Sequence, residues 1–270
     1  MLTNENFALL KEKLKNEGVG KIFVTTVSQS TPSLIKIGKA LRLGESDLMA
    51  GWQSEGPFNE VEKKGAHDEK FITQLTNHDI EQIHEVYKLK KLYVIHPSDK
   101  NLEVVKKYVD DKIHWFSIGH TNCDYNQAFK GLQAGCSQFT HLYNAMSGLD
   151  HRNPGAVLAA LTDKKSYVEL IGDNVHIAND TLKGTKDLCS YQRIILISDC
   201  LWTKGLDDGY YKLGTLPIEK VGNHCYLKGE SILAGGAMKY LDIVKNFKKA
   251  TNASFEEIVQ VTSYNSAQQF

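Results

Sequence analysis

The sequence predicts an α/β fold built on a parallel, barrel-like sheet. Three observations carry that expectation. Short β-branched runs alternate with helical segments along most of the chain, the pattern of a parallel sheet with helical crossovers. Several of those runs end in a chemistry-bearing residue, namely Glu55, His120, His141 and Asp199. In parallel α/β folds the ligand site lies at the carboxyl ends of the strands. Finally, 270 residues with 41% hydrophobic content can bury a sizeable core, and α/β barrels commonly use this length as one domain. No Pro/Gly/Ser linker or fixed-period repeat interrupts the chain, so residues 1–270 are expected to form a single (β/α)-barrel domain.

The elements follow in order. Phe7, Leu10 and Leu14 recur at helical spacing, and Gly18 stops that helix. Residues 21–27 form a short buried strand, and Ser30-Thr31-Pro32 opens the next helix with proline in its first turn. A second strand over 47–52 leads into Ser54-Glu55-Gly56-Pro57-Phe58, followed by a long polar excursion over 59–70. Thr76 and Asp79 have capping-box spacing for a helix through Tyr87. Further strands are expected at 92–95, 114–118, 138–140, 167–171 and 193–197. Helical segments at 124–133, 156–162 and 179–188 lie between them. Asp208-Gly209 starts a β-rich excursion to about Leu227, read as a hairpin, and two helices close the chain, the last opened by Ser254 with Glu257. That makes seven strands preceded by a helix, whereas a closed (β/α)8 barrel has eight and begins with a strand. The expected fold is therefore an incomplete TIM-barrel-like sheet.

Composition narrows the function. Lys plus Arg and Asp plus Glu are 32 each, so no global field favours nucleic acid or an anionic membrane. The basic runs at 88–91 and 245–249 read as solvated helix faces. Five cysteines without a CxxC pair read as reduced thiols in a cytoplasmic protein. MLTNENFALLKEKLKNEG reads as an amphipathic charged helix rather than a signal peptide, and no apolar run approaches membrane length.

Two histidines and a carboxylate at successive strand ends are the ligand types of a catalytic divalent-metal site, in which water takes the remaining position. Glu55, His120 and His141 fit as ligands, and Asp199 as the proton shuttle. None of the four lies in a local motif such as HExxH, so ordinary polar strand ends remain the competing explanation.

Longer motifs say more. Ser54-Glu55-Gly56-Pro57-Phe58, Lys63-Lys64-Gly65-Ala66-His67, Gly119-His120-Thr121-Asn122, Thr140-His141-Leu142-Tyr143-Asn144-Ala145-Met146 and His151-Arg152-Asn153-Pro154-Gly155 occur in this order. Gly172-Asp173-Asn174-Val175-His176, Ser198-Asp199-Cys200, Gly205-Leu206-Asp207-Asp208-Gly209 and Leu233-Ala234-Gly235-Gly236 follow. In these motifs the chain closely resembles the N-acetylglucosamine-6-phosphate deacetylase family of the amidohydrolase superfamily, from about Gly18 to Gln268. The resemblance implies a metal-dependent hydrolase that converts N-acetylglucosamine 6-phosphate to glucosamine 6-phosphate and acetate. It implies Glu55, His120 and His141 as metal ligands, with zinc expected and iron, manganese or cobalt open. It implies Asp199 as acid/base and His176 as a group assisting carbonyl polarisation and binding substrate. Ala66, His67, Asn144, Ala145, Arg152, Leu233, Ala234 and Gly235 match substrate-contacting positions. Arg152 is expected to reach the phosphate, in some members across a homodimer interface, where a guanidinium fork suits the group.

The chain also departs from the family pattern. The N-terminal β-sandwich segment and the first barrel strand with its His-x-His-Gly or His-x-Gln motif are absent, and the chain stops at Phe270, where the family finishes the sandwich. The family's Gly-x-His-Leu-Glu-Gly-Pro reads here as Gly51-Trp52-Gln53-Ser54-Glu55-Gly56-Pro57. These departures motivate an alternative: a catalytically impaired remnant, or a split subunit that binds sugar phosphate and needs a partner chain. An amidohydrolase with another N-acyl substrate is a third reading.

Overall fold

The computed structural model describes residues 4–43 and 47–270; the first three residues of the charged N-terminal segment lie outside the described residues. Seven strands form one sheet in sequential order: β1 (Ile22–Thr26), β2 (Met49–Glu55), β3 (Lys91–Ile95), β4 (His114–Ile118), β5 (Gln138–Phe139), β6 (Tyr167–Ile171) and β7 (Ile194–Ile197). All six ladders between them are parallel. Every carboxyl end therefore opens on the same face, as the alternation of strands and helices predicts.

The helices are α1 (Asn4–Asn16), α2 (Thr31–Leu43), α3 (Asn77–Val86), α4 (Asp99–Tyr108), α5 (Tyr125–Ala134), α6 (Ala156–Thr162), α7 (Asn179–Cys189), α8 (Tyr240–Thr251), α9 (Phe255–Val259) and α10 (Asn265–Gln269), with a π-helical turn at Gln260–Tyr264 joining the last two. Both capping boxes form. Thr76 accepts from the Asp79 N–H while Asp79 accepts from the Thr76 N–H, and Ser254 and Glu257 do the same. Helix α4 has no counterpart in the sequence reading. Its segment DKNLEVVKKY is half charged and buries only Leu102, Val104 and Val105 as apolar anchors, with Ser98 capping the Asn101 N–H.

The sheet is curled. Phe270 packs against Phe23 of β1 at 4.4 Å and Trp115 of β4 at 5.6 Å between ring centroids. Strands three places apart in a flat sheet lie roughly 14 Å apart, so one ring touching both reports the curvature. Alternation along β6 turns Val168 and Leu170 to one face and Glu169 to the other. Trp52 meets Tyr87 edge-on at 5.8 Å, and Phe116 stacks on Tyr93 at 5.6 Å, in the main apolar cluster.

The excursion read as a hairpin over 208–227 is larger than that. It is a four-stranded antiparallel sheet of β8 (Gly209–Leu213), β9 (Leu216–Val221), β10 (His224–Leu227) and β11 (Leu233–Gly236), in the order β11-β10-β9-β8. The sequence LAGG of β11 carries little strand signature and becomes a strand only by pairing with β10. Leu213, Ile218 and Cys225 of this sheet share a small core with Ala66 from the long loop after β2. A bridge between Cys200 and Gly236 ties the small sheet to the end of β7.

All five cysteines are free, and no described helix is long and apolar enough to cross a membrane. Phe116 is fully buried, so Phe116→Ala should destabilise the fold by about 3–5 kcal/mol. The shift in a urea denaturation midpoint measures it; a change below about 1 kcal/mol would contradict the packing described.

Candidate active site

Four strand ends deliver the candidate residues. Glu55 is the last residue of β2, His120 follows β4 by two positions, His141 follows β5 by two and Asp199 follows β7 by two. His120, His141 and Asp199 all adopt left-handed backbone conformations, with φ of 44°, 31° and 46°. Non-glycine residues avoid that region, and strain of this kind clusters at functional sites. It arises here because the chain turns sharply out of each strand, aiming the side chain across the mouth of the sheet.

The side chains converge on one carboxylate oxygen. Glu55 Oε1 lies 2.9 Å from His120 Nε2, 3.2 Å from His141 Nε2 and 3.4 Å from His67 Nε2. The two Nε2 atoms of His120 and His141 are 3.1 Å apart. All four residues are buried. The rings are oriented from behind. His120 Nδ1–H donates to the Lys63 carbonyl at 2.9 Å, which leaves its Nε2 lone pair facing Glu55. The Ser28 N–H donates to His67 Nδ1 at 3.1 Å. That contact makes His67 Nδ1 an acceptor, so the proton of the neutral ring sits on Nε2 and points toward the site. The side chain of Lys63 has no part in this; its contribution is a backbone carbonyl.

The electrostatics match a cation site. Burial works to raise the Glu55 carboxyl, but its contacts with His120, His141 and His67 outweigh burial and hold it well below the usual carboxylate range. Burial and the nearby His67 push His120 down to about 4, against the pull of Glu55. His141 is driven the other way: burial lowers it, yet Glu55, Asp199 and Glu169 together raise it to about 9. Glu55 is thus ionised and His120 neutral, both ready to ligate a cation, while His141 holds a proton that a bound metal would displace. Asp199 is raised by burial and by Glu55, with His141, His176 and His67 opposing, so it faces the same pocket. Glu55, His120 and His141 bring their ligand atoms within 4.8 Å of one another, and this donor set fits a divalent cation.

The remaining sequence-predicted positions fall in five places. His176 Nδ1 lies 2.6 Å from Asp173 Oδ2, while Asp173 Oδ1 accepts the Val175 and His176 N–H groups at 2.9 Å each. With Nδ1–H committed to Asp173, the Nε2 of a neutral His176 is an acceptor. Asn144 turns back on its own loop, donating to the carbonyls of His141 and Leu142 at 3.2 and 3.3 Å. Ala145 lies beside Gly65, and its carbonyl accepts the Thr121 N–H at 3.1 Å, locking the loops after β4 and β5 together. Leu233, Ala234 and Gly235 belong to β11, whose last residue, Gly236, donates its N–H to the Asp199 carbonyl at 2.8 Å. A side chain at Gly236 would meet the Ser198 carbonyl at 2.9 Å, so glycine is needed for this approach. Arg152 stands apart from the buried cluster, exposed on the loop before α6, and no ion pair of its guanidinium occurs among the described residues. Ala66 packs into the small core beside its neighbour His67.

Sequence reasoning missed Ser28, Asp173 as a ring anchor, His224 and Glu169. His224 of β10 brings Nε2 within 3.4 Å of Asp173 Oδ2. Glu169 is 4% exposed, and burial raises its carboxyl to about 7, with His141 among the groups opposing. A lone Glu inside the apolar run of β6 was the one available signal.

No family model matches the sequence. Among curated proteins, the chain is 30% identical over 274 residues to an N-acetylglucosamine-6-phosphate deacetylase of Bacillus subtilis, covering 97% of this chain and 68% of that protein. It is 27% identical to an N-acetylgalactosamine-6-phosphate deacetylase of Escherichia coli, over 93% of this chain and 68% of the relative. Among solved structures, an N-acetylglucosamine-6-phosphate deacetylase of Thermotoga maritima superimposes with a TM-score of 0.90 at 29% identity, over 97% of this chain and 72% of that one. The chain thus spans about two thirds of the length of the curated relatives it matches.

Gly56 has φ +83°, and an added Cβ would lie 2.1 Å from Ser28 Oγ. Gly56→Ala should therefore displace Ser28, release His67 and weaken divalent-metal binding roughly tenfold or more. Equilibrium dialysis against zinc on a sample with unchanged far-UV circular dichroism reads this; unaltered affinity would show that the Ser28–His67 contact does not support the donors.

Proposed function

Because the chain belongs to the N-acetylglucosamine-6-phosphate deacetylase family, we propose that it hydrolyses the amide of N-acetylglucosamine 6-phosphate to glucosamine 6-phosphate and acetate. The convergence of His120 and His141 on Glu55 Oε1 is the observation that carries this reading. These three residues would hold the metal, with zinc the ion that best suits two imidazoles and a carboxylate. A bound divalent cation would lower the pKa of the attacking water and polarise the acetyl carbonyl.

The protein's own groups do the rest. Asp199, kept basic enough by burial to accept a proton, takes one from the water as its oxygen attacks the acetyl carbon. It returns that proton to the sugar nitrogen as the C–N bond breaks, so the amine leaves neutral. His67 carries Nε2–H toward the site and is suited to donate to the acetyl oxygen as negative charge develops there. The family resemblance assigns that donor role to His176, whose ring Asp173 holds through Nδ1 at 2.6 Å. Arg152, with its guanidinium on an exposed loop, suits the phosphate, in its own subunit or across a homodimer. Asn144, Ala145, Leu233, Ala234 and Gly235, in the loops and the small sheet around Asp199, are the substrate-side contacts of this reading, together with Ala66.

Acetate release from N-acetylglucosamine 6-phosphate, followed on a sample whose bound metal is quantified, tests the assignment. Asp199→Asn should lower turnover by about 10²–10⁴-fold while the metal content stays at the wild-type level. Unchanged turnover would remove Asp199 from the chemistry, and a metal-loaded chain without any acetate release would remove the activity itself.

A further inference from the structure

We propose that Glu169 is the positioning residue that holds His141 in place as a metal ligand, an inference that rests on the metal reading above. The other histidines of the site have their rings anchored: His67 by the Ser28 N–H, His120 by the Lys63 carbonyl and His176 by Asp173. Among the described residues the ring of His141 has no such anchor, because its Nδ1 is buried without a hydrogen-bond partner there. The aim of its Nε2 therefore depends on the backbone, which sits in the left-handed region at φ 31°.

Glu169 grips that backbone at two points. Its Oε2 accepts the His141 N–H at 3.3 Å, and its main-chain carbonyl accepts the Leu142 N–H at 2.8 Å. The His141 carbonyl is held separately, by the N–H and the side-chain amide of Asn144 at 3.0 and 3.2 Å. The other carboxylate oxygen of Glu169 accepts Gln138 Nε2 at 2.7 Å. Gln138 in turn accepts Gln269 Nε2 from α10 at 3.2 Å, which fixes the Gln138 amide with its donors toward Glu169. Both partners of the Glu169 side chain are thus donors. Only a carboxylate of this length accepts at both ends; a glutamine would turn its own NH2 group onto one of them and leave a buried N–H unsatisfied.

The test is zinc titration of the full chain against a chelator of known affinity, with apo-protein melting recorded in parallel. Glu169→Gln should weaken zinc binding roughly 10–100-fold, as loss of a ligand's supporting partner does. The exchanged pair Gln138→Glu/Glu169→Gln restores every hydrogen bond. The carboxylate moved to β5 would accept from the Gln269 amide and from the amide moved to β6, whose oxygen would accept the His141 N–H. The exchange should return zinc affinity to within about threefold of wild type. Glu169→Gln affinity within twofold of wild type would overturn the proposal, even if the apo protein melts lower, because the role would then be structural only. Should Glu169→Gln fail to fold, the exchanged pair decides alone: near-native zinc affinity supports the positioning role, and a folded pair that binds zinc weakly overturns it. If the wild-type chain binds no zinc, the metal reading falls and takes this one with it. Zinc binding by the wild type with an unaffected Glu169→Gln variant removes only this one.

Discussion

A single buried carboxylate oxygen organises the carboxyl face of this protein. Glu55 Oε1 stands within 3.4 Å of imidazole nitrogens from His67, His120 and His141. Burying a carboxylate costs several kcal/mol unless other groups compensate. Here the Nε2–H of His67 and the raised, proton-holding His141 do so, while His120 turns a lone pair on the same oxygen, and each ring comes from a different loop. The arrangement constrains those loops in turn, since all three rings meet at Glu55. The long segment after β2, the turn after β4 and the turn after β5 are therefore coupled through one atom.

Holding those turns has its own cost. Three of the chemistry-bearing residues are non-glycines at positive φ, a conformation worth on the order of 1–3 kcal/mol of strain each. Hydrogen bonds among the loops offset it. The Glu60 N–H reaches the His120 carbonyl at 3.0 Å, the Thr121 N–H reaches the Ala145 carbonyl at 3.1 Å, and the Ser147 N–H returns to Thr121 at 2.9 Å. Beneath them the concave face of the sheet is polar where a core would ordinarily be apolar. Ser117, Gln138, Thr140 and Glu169 are all buried there, and Gln138 and Glu169 form a line running up toward His141. The small antiparallel sheet adds a further restraint from the side, clamping the backbone of Asp199 through Gly236.

Much of this was legible in the chain. The strands at 114–118 and 167–171 and the helix at 156–162 match the sequence reading residue for residue, because each is bounded by unambiguous turn or cap signals. The capping pairs Thr76 with Asp79 and Ser254 with Glu257 needed only local spacing. Helix α4 escaped because its apolar positions are few among charges, and β11 escaped because Leu-Ala-Gly-Gly is a strand only while β10 lies beside it.

At the site the same division holds. Sequence alone determined that Glu55, His120, His141 and Asp199 lie at or just past the ends of strands of a parallel sheet, and strand ends face one way. It could not determine how those residues are aimed. The tautomer of His67 depends on Ser28, thirty-nine positions earlier in the chain, and the stance of His141 depends on Glu169, twenty-eight positions later. Hydrogen bonds between such distant residues leave no local pattern, because they are made by loops and strands that meet only when the sheet curls. Residue type and spacing are local properties of the chain, whereas orientation and protonation are properties of the space that folding encloses.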